Sequence, residues 1–395
     1  MNSIKKYFSA FAAFLLFAVC QQAAAQRMIN HGPWLQHLGK DGVTIVWTTN
    51  TDCISWVEAY EYDGSNFYQQ ERPKYFSSSD GLKTIGRIHK VTLQDLKPGT
   101  KYAYRIFSRE VVSKTYSNPI FGRTDASEVY QRQPLFFTTE DAAKEKNSIV
   151  VLTDIHNRSA VIGSLLKDVN LAETDFVMTD GDFVSTFNKE EDLFDGGIDT
   201  LVDLFATTKP FYVTRGNHET RGTMGPAFKN YFYFPDNKYY YTFTSGKTLF
   251  IVLDCGEDKP DSDKEYSDLV DFDAYRNQEV RWLKQVVVSD QFKSAEHVVV
   301  FLHMPPFFPG RTPWHGDMEM RQKFFPVLND AGIDLMISGH THRYAFIDKN
   351  TEGNKFPVIV LSNNCRMDLT IDKNGIKAKT TDITKKVLSD LTFTK

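Results

Sequence analysis

The sequence predicts a two-part chain, an all-β sandwich followed by an α/β domain. Residues from about Gln26 to Thr139 read as alternating strands, and those from Ser148 onward as short apolar runs separated by helical patterns. A polar, charged stretch, Glu140 to Asn147, lies between the two and reads as the linker. The 395 residues leave room for two domains of ordinary size, about 100–200 residues each. The divisions expected are 1–25, 26–139, 140–147 and 148–395.

The first 25 residues have the form of an export signal: Lys5 and Lys6, an apolar run from Phe8 to Val19, then Ala23-Ala24-Ala25. That run is shorter than the ~20 residues a spanning helix needs, so no transmembrane anchor is expected. The chain should be secreted or periplasmic; lipid attachment at Cys20 is the alternative, with Phe17 and Val19 poor neighbours for it. Cys53, Cys255 and Cys365 remain, an odd number without a Cys-x-x-Cys pair, so neither a disulfide framework nor a thiolate zinc site is indicated. Cys255 and Cys365 both follow strand-like runs, and their pairing is left open. The acceptor Asn157-Arg158-Ser159 falls beside a candidate ligand, where a glycan would obstruct it; this favours a bacterial periplasm or surface.

In the first domain, Val43, Ile45 and Trp47 share one face of a strand, and Tyr102 to Ile106 alternates likewise. Leu96-Lys97-Pro98-Gly99 makes a turn before Tyr102, placing that tyrosine to bond back to the turn backbone, a tyrosine corner. The stretch resembles a fibronectin type III module. Such a module would serve as a spacer or shield, with glycan or protein contact as the alternative. Tyr116 to Gln133 fits a long hairpin or a loop.

In the second domain, apolar runs occur at Ile149–Leu152, Phe176–Met178, Phe211–Val213, Leu249–Leu253, Val298–Leu302 and Leu335–Ile337. Helical patterns cover Ser159 to Val169 and Gln278 to Val288, where Val280, Leu283, Val286 and Val287 share a face. Tyr344–Ile347, Pro357–Leu361 and Leu369–Ile371 read as a strand meander. In such α/β domains the site lies at the strand ends. Five of the six runs are followed by metal-capable residues: Asp154-Ile155-His156, Asp180-Gly181-Asp182, Gly216-Asn217-His218-Glu219, His303, and Gly339-His340-Thr341-His342. Five of the ten histidines stand at these positions. Each motif alone is a common turn or cap; their recurrence after strand-like runs points to one metal site.

In this order, Asp-x-His, Gly-Asp, Gly-Asn-His-Glu, a later His and Gly-His-x-His resemble the calcineurin-like metallophosphoesterases, from about Ser148 to Cys365. The resemblance implies a four-layer α/β sandwich with two central sheets. It implies that Asp154, His156 and His342 hold a first metal, that Asn217, His303 and His340 hold a second, and that Asp182 bridges them. It further implies two divalent ions, zinc, manganese or iron, and hydrolysis of a phosphate ester by a water they activate. His218 would be the catalytic residue, meeting phosphoryl charge or the leaving oxygen, and Glu219 a hydrogen-bond partner behind the ligands. Gln278, Trp282 and Leu283 would be a packing feature of a helix.

The pairing of sandwich and catalytic domains looks like the purple acid phosphatases, with one departure. Those enzymes carry a tyrosine ligand three residues after the bridging aspartate, where this chain has Ser185, and glycine where it has His156. His156 would take the tyrosine's place, without the purple colour. A phosphomonoesterase is the expected activity, and a phosphodiesterase, cyclic-nucleotide enzymes included, is the near alternative. A binding module on an inactive scaffold is the rival from another class, and no Gly-x-Ser-x-Gly elbow supports a serine nucleophile. The partner expected is a phosphorylated small molecule; a formal charge of −4 excludes the basic signature of nucleic-acid binding. Arg311 and His315, in the aromatic loop from Phe307, and Arg158, Arg215 and Arg221 are further candidates to meet phosphate. His31, His37, His89 and His297 are expected to be structural.

Overall fold

The computed structural model describes residues 27–394, apart from 116, 131 and 311. The export signal, Cys20 and Arg311 lie outside the described residues. In the first domain the 19-residue strand Val43–Glu61 is the spine. Its first half pairs antiparallel with Ile29–Gln36 and Ile85–Leu93, and its second half with Lys101–Ser113 and Lys74–Phe76. A register break between Thr48 and Cys53 separates the halves. Side chains from both converge on one core, Val43, Ile45 and Trp47 meeting Val57, Tyr104 and Ile106. The tyrosine corner is present: the Lys97 N–H donates to the Tyr102 hydroxyl at 2.9 Å. Ile120–Ala126, within the stretch left between hairpin and loop, pairs back onto Lys101–Ser113.

The second domain holds two six-stranded sheets. In the first, Asn147–Leu152 lies between parallel Phe176–Asp180 and antiparallel Cys365–Asp372. Phe211–Thr214 closes one edge, and Gly375–Asp382 with Val387–Phe393 the other. In the second, Tyr241–Ser245, Thr248–Leu253, His297–Leu302, Leu335–Ser338, Val358–Val360 and Ala345–Ile347 lie side by side. Alternation along a strand sets the layers. Val299 and Phe301 point to the first sheet, while Val298, Val300 and Leu302 meet Leu283, Phe324 and Leu328 from the helical segments outside. Ile162 and Leu165 of the helix Ser159–Leu166 cover the first sheet's outer face. The result is four layers: helix, sheet, sheet, helix.

Two expectations need correction. Asn147, placed in the linker, already belongs to the first strand, its side chain bonded to Ser245 and Thr248. The meander expected after His342 is split: Ala345–Ile347 and Val358–Val360 stay in the second sheet, while Cys365–Asp372 crosses to the first. The strands Gly375–Asp382 and Val387–Phe393 complete a true meander there. Lysines on the outward face of Ile376-Lys377-Ala378-Lys379 dilute its apolar signal; Ile376 and Ala378 are buried. Cys53, Cys255 and Cys365 are all buried free thiols, so Cys255 and Cys365 do not pair.

The domains meet through a shared surface. Trp34 and Val46 join the core of the second domain, and the Tyr104 hydroxyl donates to the Thr207 carbonyl at 2.8 Å. His37 lies among the rings of Tyr212, Tyr233, Tyr241 and Phe243.

Candidate metal centre

The parallel strands of both sheets end on one side, and the candidate residues sit on the turns that leave them. These turns are sharp. Asp154, His156, Asp182, His340 and His342 all adopt left-handed backbone conformations, φ between +51° and +67°. Aspartate and histidine tolerate this region better than bulkier residues, at a cost on the order of 1 kcal/mol or more each. Glycines make room beside them. A Cβ on Gly216 would collide with Asp182, one on Gly339 with Thr153 and Asp154, and one on Gly181 with the His303 ring. The glycine in each motif is therefore a packing requirement of a neighbouring motif.

All seven candidate ligands come together. His156 Nε2 and His342 Nε2 stand 2.9 Å apart, and His342 Nε2 lies 3.2 Å from Asp154 Oδ1. His303 Nε2 is 3.0 Å from Asp182 Oδ2, and His340 Nδ1 is 3.0 Å from Asn217 Oδ1. Asp182 Oδ2 is also 3.8 Å from His156 Nε2, which places its carboxylate between the two groups. Donor atoms of Asp154, His156 and His342 form one set, and those of Asp182, His303 and His340 another, each within 4.8 Å.

Bonds behind the ligands aim these atoms. Asp154 Oδ2 accepts from the Thr153 hydroxyl and the His340 N–H, leaving the buried Oδ1 without a hydrogen-bond partner. His303 Nδ1 donates to the Asp180 carbonyl at 2.6 Å, which turns the buried Nε2 towards Asp182 Oδ2, so that in the neutral ring its lone pair would face the gap. Glu219, fully buried, accepts N–H bonds from Asp182, Gly216 and Val184 and so holds the turn carrying Asp182. Burial, with Asp182 nearby, pushes the Glu219 carboxyl up to about 7. Burial opposes a charged His303, yet Asp182 and Asp154 raise its pKa well above the ordinary imidazole value. Two buried carboxylates and converging lone pairs make a place where positive charge is favoured, and imidazole with carboxylate suits borderline divalent ions. The donor set fits a dinuclear cation centre.

His218 stands at the rim. Its Nδ1 donates to the Ser185 carbonyl at 2.7 Å, while Nε2 lies 3.2 Å from Arg221 and 3.9 Å from Asp182. Ser185 thus presents its backbone here, and among the described residues no tyrosine hydroxyl stands beside Asp182. Burial lowers the His218 pKa against the pull of Asp182. A cavity of about 800 Å³ opens over Asp182, Asn217, His218, His340 and His342.

The remaining candidates separate. Arg221 and His315 line the cavity. Arg158 is tied to the carbonyls of Asp154 and Asn363, and Arg215 is buried against Asp254 at 2.6 Å, away from the ligands. His31 stacks on Phe194, His89 bonds Thr49, and His297 bonds the Asp372 carbonyl, so these lie outside the site together with His37. Trp282 packs on Tyr240 and Leu283 in the outer core, as a packing role requires. The sixth apolar run held an unread signal. Thr248–Leu253 is followed by Asp254-Cys255-Gly256-Glu257-Asp258, of which Asp258 reaches the cavity wall and Glu257 holds Arg221 there, but no histidine marked it as a site.

Comparisons with known proteins agree with this geometry. The family described as calcineurin-like phosphoesterase matches residues 148–344, and the purple acid phosphatase N-terminal domain matches residues 34–118. Purple acid phosphatase 22 of Arabidopsis thaliana is 24% identical over 323 residues, covering 78% of this chain and 64% of its own. Purple acid phosphatase 21 of the same plant is 22% identical with the same coverage, so the chain spans just under two thirds of these relatives.

Proposed function

The chain belongs to the calcineurin-like phosphoesterases, and from that membership we propose that it is an exported phosphomonoesterase with a dinuclear metal centre. The convergence of two ligand sets on Asp182, with lone pairs of Asp154 and His303 directed into the gap, carries the reading. Asp154, His156 and His342 would hold one cation, Asn217, His303 and His340 the other, with Asp182 shared. Zinc, manganese or iron there would supply the positive charge that binds phosphoryl oxygens and activates a water. His218 brings Nε2 to the edge of the same cavity, where it would meet charge developing on the phosphoryl group or the leaving oxygen. Arg158 steadies the Asp154 turn through its carbonyl, and Glu219 steadies that of Asp182.

Export rests on the leader up to Ala25, and no described helix is long and apolar enough to cross a membrane. The first domain, with its fibronectin-like tyrosine corner, would brace the second as a spacer; glycan or protein contact is its alternative role. Purified protein loaded with zinc, manganese or iron should release nitrophenol from p-nitrophenyl phosphate faster than from bis(p-nitrophenyl) phosphate. The reverse order would make it a phosphodiesterase, and no hydrolysis of either ester would favour the inactive binding module. Iron-loaded protein should lack a visible tyrosinate band; its appearance would refute the place given to His156.

A further inference from the structure

Two turns of the site are pinned to each other along their backbones. The Asp154 N–H donates to the Gly181 carbonyl at 3.0 Å, that of His156 to Asp182 at 2.9 Å, and that of Asn157 to Phe183 at 3.1 Å. The Asn157 side chain reaches one residue pair further. Its Oδ1 accepts the Ser185 N–H at 2.7 Å, and its Nδ2 donates to the Asp192 carbonyl. Asp192 is fixed in its turn, its carboxylate accepting the Asn188 and Lys189 N–H groups at 2.8 and 3.0 Å. Gly196 lies against the same amide: a Cβ there would stand 2.7 Å from Asn157 Nδ2. The left-handed backbone of Asn157, φ +60°, aims its amide between these two segments.

Ser185 itself is exposed. Its carbonyl nevertheless accepts the His218 Nδ1–H at 2.7 Å, the bond that leaves Nε2 at the cavity edge. A carbonyl only accepts, so this bond fixes which ring nitrogen carries the proton as well as the direction of the ring. Just before it in the chain, the Asp182 and Val184 N–H groups are held by buried Glu219. At Ser185 that support ends and Asn157 supplies the next bond. Without it the Ser185 peptide is free to rotate, and a displacement of about 1 Å costs a positioned group up to about 10²-fold in rate.

We propose that Asn157 is a positioning residue for His218, holding the Ser185 peptide so that its carbonyl sets the tautomer and direction of the imidazole. This rests on the role given to His218 in phosphate-ester hydrolysis and names the residue that couples it to the Asp154 turn. The variant Asn157→Gly accepts the left-handed backbone and removes both side-chain bonds. Zinc content should match the wild type, while kcat for p-nitrophenyl phosphate falls by about tenfold with little change in KM. In a His218→Ala background the same substitution should alter kcat by less than about twofold, because the group it positions is gone. Asn157→Asp, which keeps an acceptor for the Ser185 N–H, should recover part of the loss and serves as the variant if Asn157→Gly does not fold. A second readout is independent of turnover. Zinc-loaded protein with isotope-labelled histidine should show an Nδ1–H proton resonance that is absent from His218→Ala and shifted or lost in Asn157→Gly. An unchanged resonance in Asn157→Gly, equal falls in kcat with and without His218, or loss of zinc from Asn157→Gly overturns the proposal. If the wild type cleaves no ester, the hydrolase reading falls by itself, since the resonance still decides whether Asn157 sets His218.

Discussion

At the scale of single residues, the site divides into groups that face the gap and groups that aim them. Asp182 approaches donors from both sets, whereas His156 and His342 belong to the Asp154 side. Asp182→Asn should therefore cost both cations, and His156→Ala chiefly one. Metal content after dialysis checks this, and equal losses would contradict the shared position of Asp182. His218 makes its bonds to Ser185 and Arg221 and lies 3.9 Å from Asp182. His218→Ala should keep its metal while kcat falls by about 10²-fold or more. Unchanged turnover would leave His218 a purely structural group. The candidate ligands were legible because motifs that are ordinary turns singly recur after five apolar runs, in a specific order. The wall acids were not, because Glu257 and Asp258 look like any polar turn until Arg221, 36 positions away, is seen between them.

At the scale of elements, strand ends were readable and the geometry of the turns was not. Apolar runs bounded by polar residues located all six site-bearing strands to within two residues. No pattern in the sequence announces that five of the candidate ligands sit at positive φ, since that follows from how the turns abut one another. The close approach of Gly216 to Asp182 tests this coupling. Gly216→Ala would push the carboxylate aside, so the variant should fold but bind metal at least ~10-fold more weakly, the scale seen when groups supporting a ligand are disturbed. Calorimetric titration with zinc or manganese would show it; wild-type affinity would mean that the turns adjust independently. The closing strands escaped notice for a different reason. Their apolar residues are interleaved with polar ones, Lys377 and Lys379 in one strand and Ser389, Asp390 and Thr392 in the other, as befits a sheet edge with one wet face.

At the scale of the whole molecule, two cores are joined across a surface that the two local patterns could not reveal. His37, from the first domain, is partly buried among four aromatic rings of the second, and that partial burial lowers its pKa below the ordinary imidazole value, towards about 3. Tyr212 and Tyr241 beside it are raised by burial and stay neutral, so no anion offsets a proton there. An imidazole with a depressed folded pKa leaves stability untouched above about 6.5 and removes it as pH falls below that value, because the unfolded chain takes the proton first. By pH 5 the loss from this residue should be at most about 2 kcal/mol, less where solvent reaches the ring. Denaturant melts between pH 7 and 5 measure it, and His37→Phe should flatten the slope whatever it does to absolute stability. An equal slope in the variant would assign the acid sensitivity elsewhere.

The strand Asn147–Leu152, which delivers Asp154, has one neighbour close by in sequence and the other at Cys365–Asp372. A growing polypeptide emerging from the ribosome therefore acquires Asp154, Asp182 and His218 long before it can complete the sheet behind them. Assembly must wait for a contact spanning more than two hundred residues, which makes it slow and leaves an unpaired edge open meanwhile. Any metal met during that interval would find loose ligands rather than a formed cage, so the cations should be taken up last, after the two sheets have closed.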